Sequence, residues 1–303
     1  MNSETVEAPF FRATTEALTD ANMIVLGIPW DASSSYRKGA ANAPTVIRQA
    51  TSGKLYSPYT ERIANIANRW QLFDYGNVAI LSEDPIEARN EVLTTVQEIN
   101  RPEQKNRFLF LGGDHLATYF SVIALQKVGI LEGKTVGMVY LDAHPDLYTN
   151  YDGNRYSHAC VLQRIIEETQ IEPHKIVQVG IRAASPEQRD FIQQTGITSI
   201  SRRTFHKKGA KEIGNQTKKA LEGTDLIYLS IDLDVLDPAC APGLGNPEPG
   251  GLMTAEVVDF IQRLAGLPIF AFDIVELCPP YDHGNITAFA AAKLIRETLG
   301  IMK

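Results

Sequence analysis

Thiols are scarce in this chain of 303 residues: Cys160, Cys240 and Cys278 are its only cysteines, and none stands in a Cys-x-x-Cys pair. An odd, unpaired set argues against a disulfide framework and against a thiolate zinc site, so a reducing cytoplasm is the expected location. Long apolar runs are missing as well. None approaches the ~18 residues of a membrane span. Positive charge is in deficit, with 29 Lys and Arg against 36 Asp and Glu and a net charge of −7. Such a chain offers no basic surface for nucleic acid or for an anionic membrane. Its opening stretch, MNSETVEAPFFRATTEALTDA, is polar and acidic, which is not the pattern of a signal peptide. Gly112-Gly113 lacks both the Lys-Ser/Thr of a P-loop and the Gly-x-Gly-x-x-Gly of a dinucleotide site. There is no internal repeat, low-complexity tract or Pro/Gly/Ser-rich linker. One domain over 1–303 is therefore expected, and the length suffices for a large core.

Eight apolar, β-branched runs bounded by Gly, Pro, Asp or Ser read as strands: 23–29, 70–76, 107–113, 136–144, 176–182, 197–203, 226–234 and 269–277. Segments of helical period lie between most of them, at 85–99, 116–129, 159–170, 186–194, 209–222 and 254–265, and a last one follows near 286–300. Near-continuous apolar strands alternating with amphipathic helices predict a three-layer α/β/α fold around a mainly parallel sheet of about eight strands.

The polar residues that remain are concentrated at the strand ends. Gly113-Asp114-His115 closes one strand, Asp142-Ala-His144-Pro-Asp146 another, and Ser230-Ile-Asp232-Leu-Asp234 a third. Ligands of open α/β sheets bind beyond the carboxyl ends of the strands. A single Asp there reads equally well as a helix cap or an ion-pair partner. Two tight clusters joined by a third do not. Buried together, these acids and imidazoles need compensating positive charge. Residues two apart on an extended chain face the same side, so Asp142, His144 and Asp146 can address one centre, and Asp232 and Asp234 can join them. With His115 the set is four carboxylates and two imidazoles. That suits Mn²⁺ or a similar ion better than a thiophilic one, and two such ions can share a solvent hydroxide as nucleophile.

LGGDH (111–115), LDAHPD (141–146) and SIDLDVLDP (230–238) resemble the signature motifs of the arginase and agmatinase ureohydrolases. The likeness runs from GIPWDASSSYRKGAANAP (27–44) through YSHA (156–159) to APGLGNPEPGGL (241–252) and FDIVELCPPYD (272–282). It implies two Mn²⁺ per subunit. His115, Asp142, Asp146 and Asp232 would hold one, and Asp142, His144, Asp232 and Asp234 the other. It also implies assembly into a homotrimer or homohexamer.

By the same resemblance the site hydrolyses a small cationic guanidino compound. A hydroxide between the metals attacks the guanidinium carbon, and Asp146 accepts and delivers the proton. Glu276 pairs with the guanidinium, and its plain alternative is a solvated loop acid. His158 matches a histidine placed near the substrate as proton shuttle or polar contact; a buried structural histidine is its alternative. Asp114 is expected to orient its neighbour His115. His174, His206 and His283 read as surface residues, and Asp237-Pro238 as a turn.

Arginases grip the amino-acid end of arginine with an Asn two residues after the central motif and with acids after the strand that ends in VGIR. Here those places are Tyr148 and Ala183-Ala184-Ser185. The remaining motifs look like the agmatinase branch, apart from Asn246, where a Thr is common. Hydrolysis of agmatine to putrescine and urea is the expectation. Alternatives are a sister ureohydrolase for arginine, guanidinobutyrate, aminopropylagmatine or formiminoglutamate, a mononuclear zinc deacetylase, and a non-enzymatic metal-binding protein.

Overall fold

The computed structural model describes residues 8–104 and 106–303, so the first seven residues of the polar opening stretch lie outside the described residues. Nine strands form one parallel sheet in the order β1-β3-β2-β4-β9-β8-β5-β6-β7. In chain order they are β1 (Thr14–Thr15), β2 (Met23–Ile28), β3 (Leu72–Asn77), β4 (Arg107–Gly112), β5 (Val136–Leu141), β6 (Ile176–Ile181), β7 (Thr198–Ser201), β8 (Leu226–Asp232) and β9 (Ile269–Val275). Eight are the expected strands. The ninth, β1, is two threonines that add an edge strand beside β3, too short and polar to show a period.

Strands covered on both faces must be apolar on both, and β2, β5, β6 and β9 are buried at every position. Alternate side chains feed two separate cores. Leu109 and Leu111 of β4 pack on one face, and Phe108 and Phe110 on the other. The first core is closed by α2 (Ala43–Ala50), α7 (Arg202–Ala220), α8 (Thr254–Arg263) and α9 (Ile286–Ile301); the second by α3 (Pro85–Ile99), α4 (Leu116–Lys127) and α5 (Val161–Glu168). The remaining helices are a single turn α1 (Pro9–Arg12) and α6 (Pro186–Thr195). Helix α7 starts seven residues earlier than its periodicity suggests, because Ser201 caps it through Thr204 N and Gly209 (φ 74°) interrupts the pattern. No helix among the described residues is long and apolar enough to cross a membrane.

The sheet order positions the site. The chain passes outward from β4 to β5, and β8 and β9 later fill the gap between them. The carboxyl ends of β4, β9, β8 and β5 are therefore consecutive, within roughly 15 Å at the ordinary strand spacing. Those four ends carry His115, Glu276, Asp232 with Asp234, and the 142–146 segment.

Candidate metal centre

Strand alternation does not bring the acids together. β5 ends at Leu141, and the expected strand 136–144 stops short because the chain bends at Ala143 and His144. Asp146 then takes a left-handed backbone conformation (φ 53°), rare for a residue with a side chain. Its carbonyl accepts the N–H groups of Leu162 (3.1 Å) and Gln163 (3.2 Å) from the first turn of α5, which holds it there. β8 likewise ends at Asp232. The Asp232 side chain accepts Asp234 N–H at 2.7 Å and caps a 3₁₀ turn over Leu233–Val235. That turn, rather than a two-residue period, swings Asp234 beside its partner.

Within this arrangement His115 Nδ1 lies 2.9 Å from Asp232 Oδ2, 3.1 Å from Asp142 Oδ2 and 3.2 Å from Asp146 Oδ2. His144 Nδ1 lies 2.8 Å from Asp234 Oδ2 and 3.6 Å from Asp142 Oδ1. His115, Asp142 and Asp232 form one group of converging ligand atoms, and Asp142, His144 and Asp234 a second, so Asp142 belongs to both. One ring nitrogen has one proton or one lone pair to offer. It cannot satisfy three carboxylates, whereas a cation among them can, and Asp142 Oδ2 accepts no hydrogen bond. The residues present fit divalent ions.

Burial, reinforced by the neighbouring Asp234 and Asp146, pushes Asp142 up to about 7. Burial and the same crowding raise Asp232 well above the carboxylate range. Burial opposes the charge on Asp234 too, but His144 outweighs it and holds that carboxyl well below its ordinary value. Burial disfavours a charged His144 as well, yet Asp234 and Asp142 carry it to about 12. Only positive charge relieves such a field.

Residues that sequence reasoning did not single out orient this set. Ser230 Oγ donates to Asp273 Oδ1 at 2.8 Å, so at 3.0 Å from His115 Nε2 it accepts. His115 thereby carries a proton on Nε2 and is held with Nδ1 facing the carboxylates. Asp273 is itself held by Thr118 and Tyr228, each at 2.7 Å. Tyr140 stacks on His115 with ring centroids 4.6 Å apart and donates to Asp146 Oδ2 at 2.8 Å. The alternating strand pattern hides Tyr140, Tyr228 and Asp273; for Ser230 the signal was its place in the SIDLD motif. Asp114 does not reach the His115 ring. It accepts Leu116 N–H (3.0 Å) and Ser33 N–H (2.9 Å), fixing the start of α4 and the 31–35 loop.

Glu276 is 3 % exposed and sits one residue past the end of β9, also left-handed (φ 67°). Its Oε1 accepts His115 N–H and meets His158 Nδ1, both at 2.8 Å, while its Oε2 is buried without a partner. Burial disfavours a charged His158, but Glu276, with Asp114 and Asp146, lifts it to about 9. Against that charge stands Ser35, whose N–H donates to Nε2 at 3.1 Å and so requires a lone pair there. The hydrogen bond decides, because a peptide N–H has no second role and a cation beside Asp146 would cancel much of the carboxylate field. His144, Asp146, His158, Asp232, Asp234, Asn246 and Glu276 line one small cleft. Wider hollows lie elsewhere, one bordered by Arg182 and Arg202, without this donor set. Asp237 accepts Ala239, Gly250 and Gly251 N–H groups as a turn, and His174, His206 and His283 are exposed.

Residues 21–300 match the model of the arginase family. The chain belongs to the arginase family. It is 36% identical over 286 residues to mitochondrial arginase 1 of Oryza sativa subsp. indica, covering 91% of this chain and 80% of that one. Proclavaminate amidinohydrolase of Streptomyces clavuligerus is 32% identical over 281 residues, covering 92% and 87%. The solved agmatine ureohydrolase of Thermoplasma volcanium superposes with a TM-score of 0.82 at 31% identity, covering 98% and 95%. As an arginase-family protein the chain is a ureohydrolase, a hydrolase of guanidino groups, with candidate ligands for the dinuclear metal site of that family.

Proposed function

We propose that this ureohydrolase cleaves agmatine to putrescine and urea, using two Mn²⁺ per subunit. The observation that carries the guanidino reading furthest is Glu276 Oε2: a buried carboxylate oxygen without a donor, opening on a cleft rich in acids. An isolated buried acceptor is unfavourable, and a guanidinium N–H is the charged donor that would satisfy it. His115, Asp142, Asp146 and Asp232 would hold one ion, and Asp142, His144, Asp232 and Asp234 the other. Bound there, the ions supply Lewis acidity and a strongly nucleophilic water near neutral pH.

The protein's own groups do the rest. Glu276 orients the planar cation edge-on so that its carbon faces the carboxylates. Asp146 takes the proton released as water adds to that carbon and returns it to the leaving amine. His158, donating from Nδ1, holds Glu276 Oε1 in place.

The relatives' names cover several substrates, so the tail is argued from this chain's residues. Tyr148 and Tyr151, with rings 5.3 Å apart, occupy the segment between Asp146 and His158 where an arginine head group would need polar partners. Ala183-Ala184-Ser185 supplies no acid for an α-amino group. Both favour agmatine, which has no carboxylate. Urea release by Mn²⁺-loaded protein given agmatine, arginine, guanidinobutyrate and aminopropylagmatine tests this. Agmatine should be preferred; preference for another overturns the tail assignment, and no urea from any overturns the function.

We infer further that residues 1–303 form one domain, and that it assembles as a trimer or hexamer. A single species at the 33.5 kDa chain mass in light scattering would refute the assembly.

A further inference from the structure

Gln178 is a polar side chain in an apolar place. It lies in β6, is 0 % exposed, and shares a sheet face with Ile176, which packs into the second core. Its amide has one possible orientation. Nε2 lies 2.9 Å from the carbonyl oxygen of Pro145, which only accepts, so the NH₂ end must face it. Oε1 is then left buried without a hydrogen-bond partner. An unpaired buried acceptor is costly, and an apolar residue at 178 would avoid it. Packing does not account for the amide; the bond to Pro145 does.

That bond acts on a strained residue of the centre. Pro145 has no N–H, its φ is fixed by the ring, and it is buried. Its carbonyl belongs to the peptide that precedes Asp146, so the plane of this peptide sets the φ of Asp146, 53°. Such a left-handed conformation is unfavourable for a residue with a side chain. It is held from both ends. The Asp146 carbonyl accepts the N–H groups of Leu162 and Gln163 from α5, and the Pro145 carbonyl accepts Gln178. No second donor among the described residues reaches the Pro145 carbonyl. On β5, Tyr140 pairs in register with Gln178 and donates to Asp146 Oδ2 at 2.8 Å. Neighbouring strands thus hold the peptide and the carboxylate of one residue.

We propose that Gln178 is a positioning residue for Asp146: its amide locks the Pro145–Asp146 peptide so that the Asp146 carboxylate faces His115 Nδ1, 3.2 Å away. The inference rests on the dinuclear reading of the centre, in which Asp146 serves one ion and carries the proton. Without the amide the peptide is free to flip. A flip returns Asp146 to a negative φ and carries its carboxylate away from that ion. Glu276 and His158 stand outside this bend and keep their places.

The test compares wild type, Gln178→Met and Ile99→Ala, each stripped of metal and titrated with Mn²⁺ against a chelator of known affinity. Gln178→Met nearly keeps the volume and removes the donor. One of its two ions should bind about 10- to 100-fold more weakly, the range for removing a group that orients a ligand, while the other is nearly unchanged. At saturating Mn²⁺, kcat for urea release should fall with KM nearly kept, because the guanidinium partner is untouched. Ile99→Ala is the control. It opens a cavity at the end of α3 that leads into β4, at the far end of the sheet from the centre. It should melt at a lower temperature with both ions bound as in wild type. If Gln178→Met does not fold, Gln178→Asn carries the same expectation, because its amide stops one methylene short of Pro145. Both ions at wild-type affinity in the Gln178 variant overturn the proposal while the centre stands. So does an Ile99→Ala variant that loses the same ion, since general loosening then explains the effect. Wild type binding fewer than two ions defeats the dinuclear reading itself, and the inference with it.

Discussion

His115 donates its main-chain N–H to Glu276 Oε1 across 2.8 Å, although 161 residues separate them. The candidate metal ligand and the candidate guanidinium partner are thus one mechanical unit. Glu276 N–H in turn donates to the carbonyl of Gly113 at 2.8 Å. Displacement of either β4 or β9 therefore moves both candidate groups.

Glu276→Gln preserves the shape and an Oε1 acceptor for His115 N–H but removes the charge. Metal content should stay near that of the wild type while kcat/KM falls at least about 100-fold, the loss of a charge-assisted hydrogen bond of roughly 3 kcal/mol. Elemental analysis and urea release on one preparation check this. Wild-type turnover would remove Glu276 from the site.

Asp234→Ala leaves His144 without its nearest carboxylate, 2.8 Å away. The variant should remain folded, bind about one metal per chain instead of two, and lose most of its turnover. Two metals with intact activity would contradict a dinuclear centre.

Ser230→Ala frees His115 Nε2 while leaving every candidate ligand in place. Metal affinity should fall about 10- to 100-fold, as it does when the group orienting a histidine ligand is removed. Competition with a chelator of known affinity measures it.

Metal binding should strengthen with rising pH. Asp142 is raised to about 7 and His144 to about 12 in the metal-free protein, so both hold protons below those values. A ligand must lose its proton to bind, so apparent affinity drops and proton release grows as pH falls from about 8 to about 6. Titration calorimetry in buffers of different ionisation heat reads both. A pH-independent affinity would count against these residues as ligands.

Gly113→Ala tests the frame around the site. A Cβ there would stand 1.9 Å from the carbonyl oxygen of Trp30, which is backbone and cannot rotate away. A loss of about 3 kcal/mol or more is expected. Thermal melting checks it.

The sequence by itself determined the class of fold and the identity of the acids and imidazoles. Apolar runs such as 107–113 and 226–234, short and bounded by turn residues, read as strands buried on both faces, and charged residues closing them are costly to bury without a counter-charge. Their meeting was legible because parallel strands all end at one side of a sheet. Tertiary structure alone decided how they meet. Alternation along an extended strand suggested a common face for 142–146, yet a bend and a left-handed Asp146 held by α5 do the placing. The groups that set proton positions were hidden as well. Tyr140 and Asp273 lie inside strands whose pattern reports only burial, and Ser35 reaches His158 across 123 residues. Local sequence encodes which backbone periodicity is stable, because that depends on neighbours along the chain. The direction of a hydrogen bond depends on neighbours in space, and only the folded sheet supplies them.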